Sequence, residues 1–311
     1  MSTLTPPRKI AIILNPKSGR GAGAKRRPEL ESLLKQAISA LPDPPEWEIL
    51  LTTKPGGGIE CTERAIEGGA DLVVAAGGDG TLHEVLNGAF GKPVRMGLLP
   101  VGTGNDSART LGMGTDLALS IQTILTGRVQ RTDVGHTQGR YFINVAGCGF
   151  DAVVADKVNR GVKFLHGTAA YIAGILLSVG SMRPVPMRLT LDDTTQDIRA
   201  ILCSVANTRS YGGGMWIAPD AQVDDGLFDV CIVGDTSVIE FFQAFPRVYK
   251  GTHITHPKVK IIRARYVRVE PSKPLPVLVD GEVIRTTPAE FVMHPQAIEF
   301  MVPALPCQEI I

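Results

Sequence analysis

Gly77-Gly78-Asp79-Gly80-Thr81 follows the apolar run Asp71 to Ala76 and precedes a helical pattern, Leu82 to Phe90. The order is strand, glycine turn, helix. Three glycines let a backbone approach a bulky polyphosphate, and the amides and dipole at the start of the next helix favour an anion there. Asp79, set among the glycines, is placed to meet a metal ion or a proton. A plain strand-to-helix turn needs fewer glycines and no acid at this position. One short motif leaves both readings open.

Two companions shift the balance. Ile10 to Leu14 is a buried-strand run that ends in Asn15-Pro16-Lys17-Ser18-Gly19, and Met96 to Val101 is another that ends in Gly102-Thr103-Gly104-Asn105-Asp106. All three polar clusters fall at the C-terminal ends of predicted strands, the edge where open α/β sheets bind ligands. The Walker phosphate-binding pattern is absent from the sequence. Gly19 to Ala24 fits the loose dinucleotide fingerprint. The second strand, Glu46 to Leu51, however, ends in Thr52-Thr53-Lys54 and lacks the acid that would hold a ribose. A dehydrogenase is disfavoured on that ground.

The first part of the chain alternates strands with helices. Lys25 to Ala40 reads as a helix broken at Leu41 to Pro45, Glu60 to Glu67 as a second, and Leu117 to Leu125 as another stopped at Gly127. Such alternation predicts a parallel sheet with flanking helices. From about Asp133 short strand-like runs dominate: Tyr141 to Val145, Met187 to Leu191, Ala200 to Ala206, Phe228 to Val233, Val259 to Val269 and Pro276 to Val279. Gly167 to Met182 is the clear helix among them. The expected class is α/β. Residues 1–133 form a parallel-sheet, three-layer nucleotide-binding domain and residues 134–311 a mostly antiparallel β-sandwich, whose last residues could return to the first domain.

The triple of Asn15 to Gly19, Gly77 to Asn87 and Gly102 to Asp106 resembles the catalytic domain of diacylglycerol kinases, in particular the soluble bacterial lipid kinases of that family. The likeness continues through Tyr211-Gly212-Gly213-Gly214-Met215, Pro219 to Leu227 and Asp280-Gly281-Glu282, and so covers nearly the whole chain. NAD kinases and phosphofructokinases share the glycine-aspartate cluster; the later blocks set this family apart from them. The resemblance implies an ATP- and Mg2+-dependent lipid kinase that phosphorylates a hydroxyl of diacylglycerol or a related lipid in a cleft between two domains. It extends a nucleotide cradle of Asn15, Pro16, Lys17, Ser18, Gly19, Gly77, Gly78, Asp79, Gly80 and Thr81 to Thr53, Leu82, His83 and Thr103. Alternatives are a sphingosine- or ceramide-type lipid kinase, an NAD kinase, and a lipid- or nucleotide-binding protein without turnover. His83 stands where many bacterial members have Asn, and Ser107 replaces a bulky apolar residue, so the acceptor stays open.

Phosphoryl transfer is chiefly positioning and charge neutralisation. Lys17 is the cation inside the two cradle loops, Asn15 to Gly19 and Gly77 to Thr81. Magnesium takes carboxylates and keeps water, and Asp79, Asp106 and Asp133 each follow an apolar run. Singly, Asp106 reads as a cap over Ser107 to Leu111 and Asp133 as a turn residue; as a set, the three acids favour metal and water. Asp280-Gly281 reads as a hairpin turn, which leaves Glu282 unexplained. The resemblance implies Glu282 as proton acceptor, while the related sphingosine kinases give that role to the glycine-loop aspartate, here Asp79. A hairpin also suits Asp225-Gly226. There the resemblance implies a structural magnesium on Asp225 and the main-chain oxygens of Gln222 and Leu227.

The 311 residues suffice for about two domains. A hydrophobic share of 44% supports sizeable cores, and a net charge of +1 argues against a bulk nucleic-acid binder. Between Phe241 and Leu275, eight Lys or Arg from Arg247 to Lys273 stand against one acid, Glu270. Within that stretch Lys258 to Glu270 reads as one strand with cations on both faces. It is either a solvated edge or attracted to an anionic membrane, at about 1 kcal/mol per cation. Cys61, Cys148, Cys203, Cys231 and Cys307 show no paired spacing, which fits a reduced cytoplasm. Met1 to Arg8 is unlike a signal peptide, and the most apolar stretch, Ala169 to Val179, is too short to span a bilayer. The expectation is a cytoplasmic protein meeting the inner membrane face peripherally, with the oligomeric state open and a homodimer included. Phe164 to Val179 and Phe241 to Tyr249 are apolar enough to line a lipid pocket, although core packing accounts for most of them.

Overall fold

Three unbroken apolar runs become the inner strands of a parallel sheet: β1 (Lys9–Leu14), β3 (Leu72–Gly77) and β4 (Arg95–Pro100), with β2 (Glu46–Leu51) outside them. The order is β4-β3-β1-β2, with Ile10 beside both Trp47 and Leu72 and Ala75 beside Leu98. Strands apolar at every position must be covered on both faces. Ile10, Ile12 and Leu14 pack with Leu30, Leu34 and Ile38 of α1 (Ser18–Ser39) and with Ile121 and Ile124 of α5 (Leu117–Thr126). The alternate residues Ala11 and Ile13, equally buried, turn to the other face. There α2 (Gly57–Glu67) and α3 (Asp79–Ala89) pack against each other and against β1 and β3. Because β2 and β3 flank β1, the strand order reverses between β1 and β3. The carboxyl ends of these two strands therefore frame the switch point, where doubly wound sheets bind ligands.

The computed structural model describes residues 6–161, 173–175 and 177–304. They divide into two compact units, one running to Thr132 and resuming at Gln296, the other Asp133–Pro295. In the first, the end of β15 (Ala289–Val302) lies parallel to β4 through Phe300 and Met96. The division falls inside β5 (Arg128–Thr137) and again inside β15.

The second unit is antiparallel. β9 (Thr194–Ala206) pairs with β8 (Val185–Leu191) along its first half, then with β7 (Val145–Gly149) and β10 (Phe228–Gly234) along its second. β8 alternates inward Val185, Met187, Leu189 and Leu191 with outward Pro186 and Arg188, the period of a sheet with one face in a core. Phe142 and Phe228 stack at 5.7 Å inside that core, which also holds Val205, Val267 and Phe291. This is the expected sandwich.

Two runs read as single strands are split. Tyr141 to Val145 becomes β6 (Arg140–Phe142) and β7, because the amides between them turn to the Asp280 carboxylate. Val259 to Val269 becomes β11 (Val259–Ala264) and β12 (Tyr266–Pro271), parted where the amides of Arg265 and Tyr266 both donate to Asp192 Oδ1 at 2.9 Å. The cationic run is therefore half edge and half interior: β11 lies only against β10, whereas β12 lies between β8 and β15. The helix α4 (Asp106–Thr110) matches the cap reading of Asp106 to within a residue, whereas α6 (Phe150–Gly161) and α7 (Val238–Ala244) go beyond the sequence reading. Of Gly167 to Met182, much lies outside the described residues, as does Cys307. Residues 173–175 and 177–178 are helical and Val179–Ser181 form a 3-10 turn. No described helix is long and apolar enough to cross a membrane.

Candidate active site

At the switch point three loops meet through their backbones. Asn15 N–H donates to Ala76 O at 3.1 Å, and the amides of Val101 and Gly102 donate to Gly77 O at 3.1 and 3.2 Å. A side chain on Gly102 would strike Gly78 Cα, and one on Gly19 would strike Val101 O. Gly19, Arg20 and Gly21 all hold positive φ, so α1 becomes regular only after a left-handed step. Asn15 Oδ1 accepts the Lys17 amide at 3.0 Å, and the Ser18 and Thr81 hydroxyls lie 3.3 Å apart, tying the first loop to the second. Lys17 and Thr103 are exposed. The first amides of α3, at Asp79 and Gly80, lack intrahelical partners by geometry and face an incoming anion.

The Asp79 carboxylate is half-buried and takes hydrogen bonds from the Ser107 amide and hydroxyl, both 2.9 Å, and from the Asp106 amide at 3.2 Å. Burial pushes its pKa above the ordinary carboxylate range and the neighbouring Asp106 charge adds to that, while the bonds from Ser107 and Asp106 oppose it. Asp106 is buried and pairs with Arg109 at 2.6 Å. A Cβ on Gly104 would lie 3.0 Å from Asp79 Oδ2 and 3.9 Å from Asp106 Oδ2, so the missing side chain leaves both oxygens room. Two crowded carboxylates suit a divalent cation. Among the described residues no three acid, histidine or cysteine side chains gather as metal ligands, but magnesium needs only one or two carboxylates besides phosphates and water. The pair fits that requirement.

In the second unit Asp280 and Gly281 form the tight turn joining β13 (Pro276–Val279) to β14 (Glu282–Thr286), both with positive φ. The Asp280 carboxylate accepts the amides of Ile143, Asn144 and Val145 at 3.1, 3.0 and 3.2 Å. Glu282, two residues on, is exposed. Asp133 is not a turn residue. It lies within β5, fully buried, and its Oδ2 accepts the Gly226 amide at 2.6 Å, so it anchors the acidic turn of this unit while Asp79 and Asp106 belong to the other. Asp225 gives one oxygen to the Leu227 amide and the other to the Arg263 guanidinium. In this arrangement Arg263 supplies positive charge to the carboxylate that the resemblance gives to a magnesium held with the main-chain oxygens of Gln222 and Leu227.

The same unit holds an apolar cavity of about 80 Å3, walled by Phe150, Val154, Met215, Ile217, Phe241 and Phe245. Asp151 is the acid in the wall. Burial raises its carboxyl to about 6, although the Ala152 amide donates to it at 2.7 Å and the Ser204 hydroxyl at 3.3 Å.

Residues 9–137 match the family pattern described as diacylglycerol kinase catalytic domain, and residues 144–302 that of the YegS C-terminal NAD kinase beta sandwich-like domain. A protein named diacylglycerol kinase from Mycobacterium tuberculosis (strain CDC 1551 / Oshkosh) is 32% identical over 95% of this chain and 95% of its own. Another of that name from Staphylococcus saprophyticus is 33% identical over 95% of this chain and 96% of its own. The chain belongs to the diacylglycerol kinase family. It is a lipid kinase. The crystal structure of a diacylglycerol kinase from Bacillus anthracis str. Sterne has the same fold, with TM-score 0.74 at 22% identity over 96% of this chain and 98% of that one.

Within this lipid kinase the loop residues Asn15 to Gly19, Gly77 to Thr81 and Thr103 gather in one unit, and Thr53 is exposed just past the end of β2. Leu82 and His83 are buried, and the Leu82 amide is bound to Gly78 O at 3.1 Å, so both pack into the support of the loop. The sequence reading passed over Glu84, whose two oxygens take the Gly56 and Gly58 amides at 2.8 and 2.6 Å at the head of α2. Three consecutive glycines there were the available signal. Ser107 looked like a departure from the family. It is the main hydrogen-bond donor to Asp79.

Proposed function

We propose that this lipid kinase transfers the γ-phosphate of ATP, with Mg2+, to a hydroxyl of diacylglycerol or a related lipid at the cytoplasmic face of a membrane, where ATP is found. The observation that carries the acceptor class is the cavity of the second unit. Its aromatic and aliphatic walls suit acyl chains and offer little to a second nucleotide such as NAD. The names of the relatives agree with a diacylglycerol acceptor.

The backbone of Asn15 to Gly19 and Gly77 to Thr81 cradles the phosphates, Lys17 adds a positive charge, and Thr53 and Thr103 border the nucleotide. Asp79 and Asp106 would hold magnesium, which neutralises charge on the transferring phosphoryl group. Ser107 orients Asp79, and Arg109 balances Asp106. Glu282, exposed at the end of the Asp280-Gly281 turn, takes the proton of the attacking hydroxyl. Asp280 fixes that turn, and Asp133 fixes the acidic turn at Gly226.

The test is direct. Purified protein is mixed with labelled ATP and Mg2+ and offered diacylglycerol, monoacylglycerol, sphingosine, ceramide and NAD in separate reactions, with a chelator control. Labelled phosphatidic acid, lost on chelation, is expected. Transfer to NAD alone, or to no acceptor at all, overturns the proposal; transfer to sphingosine or ceramide alone replaces the acceptor and keeps the mechanism.

A further inference from the structure

Helix α7 carries five apolar residues in seven and buries none of them. A helix this short gains little from its own hydrogen bonds and depends on what it packs against. Its inner side is accounted for: Phe241 stacks on Phe245 at 5.7 Å and meets Phe150 edge-on at 5.4 Å, and Phe241, Ala244 and Phe245 line the cavity. Its outer side is not. Ile239 is 71% exposed and Val238 and Phe242 are 36% and 38% exposed, all on one stripe at i, i+1 and i+4.

A second element repeats the pattern. Met215 and Ile217 line the cavity while Trp216 between them is 43% exposed. The two elements are linked through the 3-10 turn Phe245–Lys250, which continues α7 and whose Val248 O accepts the Trp216 amide at 3.0 Å. The charges complete the picture. The acid of α7, Glu240, is held by Lys258 at 2.9 Å, and Asp235 before the helix is held by Arg199 at 3.5 Å. The linking turn adds Arg247 and an exposed Lys250. Both acids are compensated, so an apolar stripe, a tryptophan and surplus cations are presented together. That combination is complementary to an anionic lipid surface, where aromatic residues favour the headgroup level and cations the negative potential.

We propose that Val238, Ile239 and Phe242 of α7, with Trp216 and the cations Arg247 and Lys250, form a docking surface for an anionic phospholipid bilayer. Docking sets against the membrane the same two elements that wall the cavity. The purpose of the surface rests on reading the cavity as the acceptor site; the binding itself does not.

The experiment measures co-sedimentation of the full chain with vesicles of phosphatidylcholine, with and without phosphatidylglycerol, alongside intrinsic tryptophan emission. Wild type should bind the anionic vesicles with a blue shift that Trp216→Phe abolishes. Ile239→Gln combined with Val238→Gln should weaken that binding at least tenfold, and Lys250→Glu should weaken it on anionic vesicles alone. Turnover of the double variant on a monomeric short-chain diacylglycerol should stay within twofold of wild type, which also shows that it folds. Equal vesicle binding by wild type and the double variant, or sedimentation showing that the stripe instead holds a second copy of the chain or a protein partner, overturns the proposal. Vesicle binding without transfer to any lipid would sink the acceptor reading and leave the docking surface standing.

Discussion

Around Asp79 the first unit builds its site from main chain: Gly78 against Gly102, Gly19 against Val101, and amides from Asp106 and Ser107 on the carboxylate. Around the cavity the second unit builds from side chains delivered by positions as distant as Phe150 and Val259. The two constructions tolerate change differently. A backbone-built cradle fails when a single Cβ is added, yet it makes no demand on substrate beyond a phosphate chain. A side-chain-built cavity can exchange one apolar residue for another of similar volume at low cost and so can follow a different lipid. On the proposed function, the donor half of the reaction is held fixed by geometry and the acceptor half is adjustable. Four substitutions test that contrast.

The largest effect is expected at Glu282→Gln. The residue is exposed and lies outside the nucleotide loops, so transfer to lipid should fall roughly 10²- to 10⁴-fold, the usual loss of a general base, with ATP affinity and melting temperature nearly unchanged. Rates and nucleotide titrations on the same preparation decide it; normal turnover removes Glu282 from the chemistry. Asp79→Asn comes next. The amide oxygen can still accept from Ser107, so the loop should persist, but a negative oxygen beside Asp106 is lost. We expect about 10²-fold or more off the rate and weaker Mg2+ activation. A folded Asp79→Asn enzyme with wild-type magnesium dependence would break the assignment of the carboxylate pair.

The same contrast explains what could be read from sequence. Strand runs ending in Asn15 to Gly19, Gly77 to Thr81 and Gly102 to Asp106 are local, and glycine and asparagine announce the backbone they need. The first unit and its loops were therefore legible. The contacts of the second unit are not local. Nothing near Asp133 signals its bond to Gly226, and nothing near Asp225 signals Arg263. The reading of Asp133 rests on its place after an apolar run and that of Asp225 on the resemblance, while both depend on neighbours far along the chain. The β11–β12 break was hidden for the same reason, since the acceptor that turns the chain is Asp192. Phe241 to Tyr249 was apolar enough for either core or pocket, and only the fold shows that Phe241, Phe245 and Val248 face empty space.

Asp280→Asn sharpens the comparison inside one motif. Read from sequence, Asp280 is a turn residue whose loss should cost little. In the structure its carboxylate collects three amides from the β6–β7 connection, and charged acceptors contribute about 1.5–3 kcal/mol per hydrogen bond. An asparagine retains one acceptor oxygen and sets an N–H₂ against amide donors. A loss of roughly 3 kcal/mol is expected in chemical denaturation. The turn that carries Glu282 would also loosen, so turnover should fall with stability. A loss below about 1 kcal/mol would show that these bonds are weak and return Asp280 to an ordinary turn position.

The smallest effect, and the one with the clearest pH signature, belongs to Asp151 in the cavity wall. Its carboxyl titrates at about 6 in the folded protein because it is buried, against about 3.9 in an unfolded chain. Between these values the unfolded state has released a proton that the folded state still holds. Stability from this group is therefore full below about pH 4, is lost as pH rises through about 6, and stays lost above it. Asp151→Asn is neutral throughout and of the same shape; its oxygen can accept the Ala152 amide, and the Ser204 hydroxyl can rotate to accept from the new N–H₂. The variant should match wild type near pH 4 and exceed it by on the order of 1–3 kcal/mol at pH 8. Asp229, whose carboxyl burial also raises to about 6, contributes equally to both proteins and cancels in the difference. The measurement is the difference in denaturation free energy between variant and wild type from pH 4 to 8. A difference that does not change with pH would mean that Asp151 keeps its charge at little cost, and that the cavity wall is wetter than its aromatic lining implies.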